Sequence, residues 1–202
     1  MKNFNLVNVV DHEFSCYRNG VFPAGERKEI IEGGLAVVDL RKLVIVHRLS
    51  IPVVPTMSSI SDYCTELTGW TEDLLKKRGV SYAEYCRRVS VKHGARNRLT
   101  VTDSSGELAA VREQCALMGV DCPYGLDTIN IAHWFSIVTG QRSNLSLEEM
   151  LAYLGLKFEG TPHRADWDAY NIARLLIALI QSGRLGLLLG RSNPLAEPDP
   201  SI

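Results

Sequence analysis

The chain has 202 residues, 46% of them hydrophobic and 22% charged, and a formal net charge of −1. That composition describes one globular domain with a sizeable core; it argues against a protein that coats nucleic acid non-specifically, though not against one that handles a single strand end. The longest apolar runs, such as residues 175–180, are too short to cross a bilayer. No leader-like segment opens the chain, and five scattered cysteines without a Cys-x-x-Cys pair read as reduced thiols of a cytoplasmic protein.

Residues 6–14 are the first predicted strand, and it ends in two acids. Strand side chains alternate, so Asp11 and Glu13 share a face, one repeat of roughly 6.6–6.8 Å apart. Two acids there repel each other and are costly to desolvate without a cation. After a loop with Pro23 and Gly25, the Ile- and Val-rich residues 29–39 and 43–54, split by a turn near Leu40-Arg41-Lys42, predict an antiparallel hairpin beside the first strand. Short helices are expected at 61–67 and 71–77, punctuated by Thr68-Gly69, and a longer one at 82–93 with Ser81 as N-cap. Lys76, Lys77, Arg78, Arg87, Arg88, Lys92, Arg96 and Arg98 face only Glu84 in this region. They read equally as a solvated helical face or as a phosphate-tracking patch.

Residues 98–102 predict a strand ending at Asp103, followed by a helix over 106–118 that Gly119 stops. Residues 120–122 suggest one more short strand, and residues 128–138 a helix that ends near Gly140. Ser146 and Glu149 form a capping box for a helix ending at Gly155, and the last helix is expected over 166–181, closed by Gly183. Antiparallel strands followed by strand–helix alternation predict a mixed α/β sheet flanked by helices. The expected domain is residues 1–184, with a tail over 185–202 whose Pro-rich end reads as disordered.

Asp103 lies where a buried strand gives way to a helix, where ligands gather in open α/β sheets, although a helix cap is the commoner role for such an aspartate. On the final helix Asp168, Ile172, Leu175, Leu176 and Leu179 share one apolar face, whereas Asp166 turns toward a more polar side. An acid on a buried face needs a partner. His163, on the loop five residues before Asp168, is placed to overhang it. Phosphodiester hydrolysis by two metals needs several carboxylates to hold cations about 3.5–4 Å apart. Magnesium and manganese prefer such oxygen ligands, and a histidine titrating near neutrality can deprotonate water.

Acid-x-acid on a strand (Asp11, Glu13), an acid after a second strand (Asp103) and His163-x4-Asp168 resemble the motifs of the DEDDh 3′→5′ exonucleases, which adopt a ribonuclease H-like fold. The resemblance reaches to about Gly183. It is closest to the branch containing the histone-mRNA 3′ exonuclease, the enhancer-of-RNA-interference nucleases and a bacterial inhibitor of the sporulation kinase pathway. The residues that carry this are Ile60-Ser61-Asp62-Tyr63-Cys64, Leu67-Thr68-Gly69, Thr102-Asp103-Ser104, Ile129-Asn130-Ile131, Pro162-His163 and Asn171-Ile172-Ala173-Arg174.

What the resemblance implies is stepwise removal of nucleoside 5′-monophosphates from single-stranded RNA or DNA 3′ ends, with RNA favoured. Asp11, Glu13, Asp103 and Asp168 would hold two Mg²⁺ or Mn²⁺ ions, and His163 would act as general base. The backbone around His12 and Phe14 would meet the terminal nucleotide, bordered by Thr68, Gly69 and Trp70. His12, Phe14 and Trp70 depart from the residues usual in the family, and Trp70 reads either as a stacking platform or as core. The competing readings are a regulatory protein-binding module on this fold, a DNA-directed exonuclease, and an endonuclease-like member. A monomer without membrane association is expected.

Overall fold

A computed structural model describes residues 5–104, 106–141 and 145–188. Nine-residue β1 (Leu6–Phe14) runs through the middle of a five-stranded sheet. It pairs antiparallel with β2 (Ile30–Asp39), which pairs antiparallel with β3 (Val44–Pro52). On its other side β1 runs parallel to β4 (Thr100–Thr102), and β4 parallel to β5 (Thr128–Asn130), giving the order β3-β2-β1-β4-β5. The expected hairpin and mixed sheet are both present.

Helices cover both faces. Near β3 in sequence come α1 (Asp62–Thr68), α2 (Glu72–Arg78) and α3 (Tyr82–Arg87). Beyond them are α4 (Glu107–Met118), α5 (Ile131–Thr139), α6 (Leu147–Tyr153) and α7 (Ala165–Leu188). Alternation along β1 divides the core: Val7 and Val9 join Ala36, Val38 and Val101 against Ile172, Leu175 and Leu179 of α7, while Val10 joins Leu35 and Val37 against Tyr82, Tyr85 and Val111. Asp11 and Glu13 continue the odd-numbered face and His12 the even-numbered one.

Four expectations need correction. The helix expected over 82–93 is regular only to Arg87 and widens into a π turn at Arg88–Lys92, where the stiff β-branched Val89 and Val91 disfavour a regular helix. Residues 120–122 form no strand: the Val120 N–H donates to the Cys115 carbonyl at 3.0 Å to close α4, and the Cys122 carbonyl accepts from Arg96. The edge of β4 is taken instead by Thr128–Asn130, expected as helix; Asn130 then caps α5 by accepting from the His133 N–H at 3.0 Å. Finally, α7 passes through Gly183 and Gly186 to Leu188, since each glycine costs a helix only about 1 kcal/mol relative to alanine. The rest of the expected tail, residues 189–202, lies outside the described residues.

Candidate active site

Asp11 and Glu13 stand at the carboxyl end of β1, on the face that α7 covers. Asp103 follows the last residue of β4, the parallel neighbour, and Asp168 lies in the first turn of α7. Carboxylate oxygens of Asp11, Glu13 and Asp168 lie within 4.8 Å of one another; so, separately, do those of Asp11, Asp103 and Glu107. Asp11 belongs to both groups, so all four acids singled out by the sequence converge, and a fifth accompanies them.

Their electrostatics reflect crowding. Burial, reinforced by the charges of Glu107, Glu13, Asp168 and Asp103, pushes the Asp11 carboxyl well above its ordinary value. Burial followed by the Asp168 charge raises Glu13 to about 8. Asp168 rises to about 7 through burial and Asp103, against the lowering effect of backbone hydrogen bonds from Arg164 and His163. Burial and Glu107 raise Asp103 to about 6. Oδ2 of Asp168 is buried with no hydrogen-bond partner among the described residues. Crowded, partly buried carboxylates with an oxygen left without a donor are expensive unless protonated or neutralised by a cation, and an all-oxygen set suits a hard divalent ion. The residues therefore fit magnesium or manganese.

Two features bring α7 into place. A Cβ on Gly34, the β2 residue paired with Asp11, would meet the carbonyl oxygen of Ala165 at 1.9 Å, so only glycine lets the start of α7 approach the sheet this closely. Beside it the buried Glu32 accepts hydrogen bonds from Arg164 Nη2 (2.9 Å) and Nε (3.1 Å), the Ala165 N–H (3.3 Å), Trp70 Nε1 (2.9 Å) and Ser50 Oγ (2.5 Å). Burial alone would raise the Glu32 carboxyl, but Arg164, Ser50 and Trp70 together hold it below its ordinary value. It is thus an ionised anchor for the first turn that carries Asp168.

His163 is exposed on the turn before α7 with φ +59°, an uncommon conformation for a non-glycine residue. It lines one cleft with Asp11, Glu13, Asp103, Asp168 and Glu148 of α6. Asp166 points elsewhere, toward Arg48 Nε at 3.4 Å, in keeping with its assignment to a different side of the helix. The side chain of His12 turns to the opposite sheet face, where Nδ1 meets Glu107 Oε1 at 2.5 Å and Nε2 meets the Tyr85 and Tyr124 hydroxyls at 2.7 and 3.0 Å. Phe14 carries the Lys28 ammonium 4.0 Å above its ring.

Thr68 is buried, and its hydroxyl donates to the Cys64 carbonyl. Gly69 is exposed in a left-handed turn at the end of α1. Trp70 is 4% exposed among Ile31, Cys64 and Leu75, with Arg164 4.7 Å from its ring, so its indole occupies core. Half of the eight basic residues of this segment are engaged in ion pairs: Lys76 with Glu72, Arg87 and Arg88 with Glu84, and Arg96 with Asp121. Sequence reasoning missed Glu107 and Glu32. The only signal for Glu107 was its spacing four residues after Asp103 at a helix start, where an acid is already favourable for the helix dipole.

A sequence model of a family described as Exonuclease (RNase_T) matches residues 9–176. The rat 3′-5′ exoribonuclease 1 is 27% identical over 190 residues, which cover 89% of this chain and 54% of the relative, so the chain spans about half the length of the curated relatives it matches. Among solved structures, the nuclease domain of 3′hExo, a DEDDh family member bound to rAMP, superposes with a TM-score of 0.80 at 24% identity, covering 89% of this chain and 94% of that one. The Mg²⁺- and Mn²⁺-bound Pop2p of S. pombe gives 0.64 at 16% identity, covering 85% and 81%. These superpositions identify the architecture as the ribonuclease H-like fold of DEDDh nucleases.

Proposed function

The chain belongs to the exonuclease family, and from that premise we propose that it is a metal-dependent 3′→5′ exonuclease acting on single-stranded ends, RNA in preference to DNA. The observation that carries the reading is the convergence of Asp11, Glu13, Asp103 and Asp168, with a buried, unpartnered Asp168 oxygen, in one cleft with His163. The preference for RNA rests on the name of the exoribonuclease relatives and on the rAMP bound to 3′hExo.

In this reading Asp11, Glu13, Asp103 and Asp168 hold two Mg²⁺ or Mn²⁺ ions. When bound, these supply the positive charge that stabilises the attacking and leaving oxygens of an in-line displacement. An imidazole nitrogen of His163 accepts the proton of the attacking water, whose oxygen bonds to phosphorus as the bond to the 3′ oxygen of the preceding nucleotide breaks. The products are a nucleoside 5′-monophosphate and a strand one residue shorter with a free 3′ hydroxyl. The backbone at His12 and Phe14 and the exposed turn at Gly69, beside buried Thr68 and Trp70, would meet the terminal nucleotide. A binding module without catalysis would gain nothing from an acid cluster whose charges repel one another.

The test incubates the purified protein with 5′-labelled single-stranded RNA and DNA in Mg²⁺, in Mn²⁺ and in EDTA. A metal-dependent ladder shortening from the 3′ end is expected, faster on RNA. Internal cuts, or no degradation with either metal, would overturn the reading.

A further inference from the structure

Glu107 is the first residue of α4 and has no role in the four-acid scheme above. It is 6% exposed. One of its oxygens, Oε1, meets Nδ1 of His12 at 2.5 Å; the other, Oε2, is buried and has no hydrogen-bond partner among the described residues. A carboxylate is acceptor-only, so the short contact requires the proton on Nδ1 of His12. Nε2, on the far side of the ring, lies 2.7 and 3.0 Å from the hydroxyls of Tyr85 and Tyr124, which lie 2.7 Å from each other. Contacts at both ring nitrogens therefore fix the orientation of the imidazole from behind. Gly33 makes room for this: a Cβ there would meet the Tyr85 ring at 2.3 Å.

A carboxyl oxygen left bare in the interior is unfavourable, and no donor among the described residues answers it. What lies near instead is more negative charge: Glu107 offers a carboxylate oxygen within 4.8 Å of those of Asp11 and Asp103. A second buried oxygen of the same cluster, Oδ2 of Asp168, is equally bare. A framework that locks one oxygen of Glu107 with a positioned histidine and leaves its twin unanswered, in a carboxyl group that reaches within 4.8 Å of two aspartates, has the form of a ligand and its supporting hydrogen bond.

We propose that Glu107 is a fifth carboxylate of the divalent-cation centre, sharing with Asp11 and Asp103 the cation on the β4 side, and that His12 is its positioning residue. The proposal rests on the metal-dependent reading above and extends its ligand set to a residue outside the four acids. It also gives His12 a purpose that its place between two metal ligands does not.

The test titrates Mn²⁺ into the full chain by calorimetry, without nucleic acid, alongside the metal-free melting temperature. Glu107→Gln keeps an acceptor for His12 but removes the charge. Its affinity for one Mn²⁺ should fall at least tenfold, while its metal-free melting temperature holds or rises because a repulsion is relieved. Glu107→Asp, which keeps the charge but withdraws it by one methylene, should lose affinity with the metal-free melting temperature little changed, and it stands in if Glu107→Gln does not fold. His12→Gln, still able to donate to Glu107, should weaken Mn²⁺ binding less than His12→Ala. Wild-type Mn²⁺ affinity in both Glu107 variants would overturn this proposal alone. So would a loss of affinity that only accompanies a fall in metal-free melting temperature, since Glu107 would then be a structural acid. Absence of Mn²⁺ binding by the wild type would overturn the metal-dependent reading and this proposal with it.

Discussion

Asp166 and Asp168 stand two residues apart on α7 and should respond oppositely to substitution. Asp168 faces the acid cluster with a bare oxygen, whereas Asp166 is half-buried against Arg48. Asp168→Ala should abolish measurable turnover, and Asp166→Ala should change it less than about tenfold. His163→Ala should lower turnover by about 10²–10⁴-fold, the usual contribution of general acid–base catalysis, while Mn²⁺ binding is spared. Single-turnover rates on a labelled RNA, paired with calorimetric Mn²⁺ titration, check all three; equal damage from Asp166→Ala and Asp168→Ala would refute the helical-face assignment. At this scale the sequence was readable where spacing carries geometry: period two put Asp11 and Glu13 together, and period 3.6 separated Asp166 from Asp168. It was silent where geometry comes from distant pairing. Glu107 meets His12 across 95 residues and Glu32 meets Arg164 across 132, and neither separation leaves a local pattern.

Among the elements, α7 decides whether the site exists, because its first turn delivers Asp168 and the preceding turn delivers His163. Glu32 and Gly34, neighbouring residues of β2 on either side of Gly33, fix its position, one by hydrogen bonds and one by the absence of a side chain. Gly34→Ala should destabilise the protein by about 1–3 kcal/mol, toward the upper end because the obstructing atoms are backbone rather than a flexible side chain. It should also lower Mn²⁺ affinity by displacing Asp168. Urea denaturation read beside Mn²⁺ titration measures both, and an unchanged midpoint would show that α7 yields without cost. The long elements were legible because hydrophobic alternation and caps mark them. The three-residue β5 was not: Thr128 and Ile129 favour a strand, but three residues give no period. Only the open edge of β4 resolves the choice.

For the molecule as a whole, the acid cluster couples stability to pH and to metal. Burial and mutual repulsion push Glu13, Asp168 and Asp103 up to about 8, 7 and 6 in the folded, metal-free protein, from ordinary values of 4.5 for glutamate and 3.8 for aspartate. Between about pH 4 and 8 the folded state therefore holds protons that the unfolded chain has released, so stability contributed by these groups is present at the acid side and lost as pH rises through 6, 7 and 8. In EDTA the melting temperature of the wild type should fall relative to that of Asp168→Asn between pH 5 and 8. With saturating Mn²⁺ the wild type should be the more stable of the two at pH 8, because a cation bound only by the folded state stabilises it. Parallel melting curves for the two proteins across that range would argue against a repulsive cluster.

The adjacent glycines of β2 bear on how the chain finds this structure. Because Gly34 clears one face of the sheet for α7 and Gly33 clears the other for Tyr85, they mark a single alignment of the hairpin. A slip of β2 by two residues along β1 would keep every apolar side chain on its proper face, so the alternating pattern alone does not forbid it. It would, however, present Glu32 or Ala36 where the backbone of Ala165 must pass, and a side chain where Tyr85 must reach His12. The close approach of two helices thus selects the strand pairing: a chain in the wrong register is denied its last helix, and with it the site.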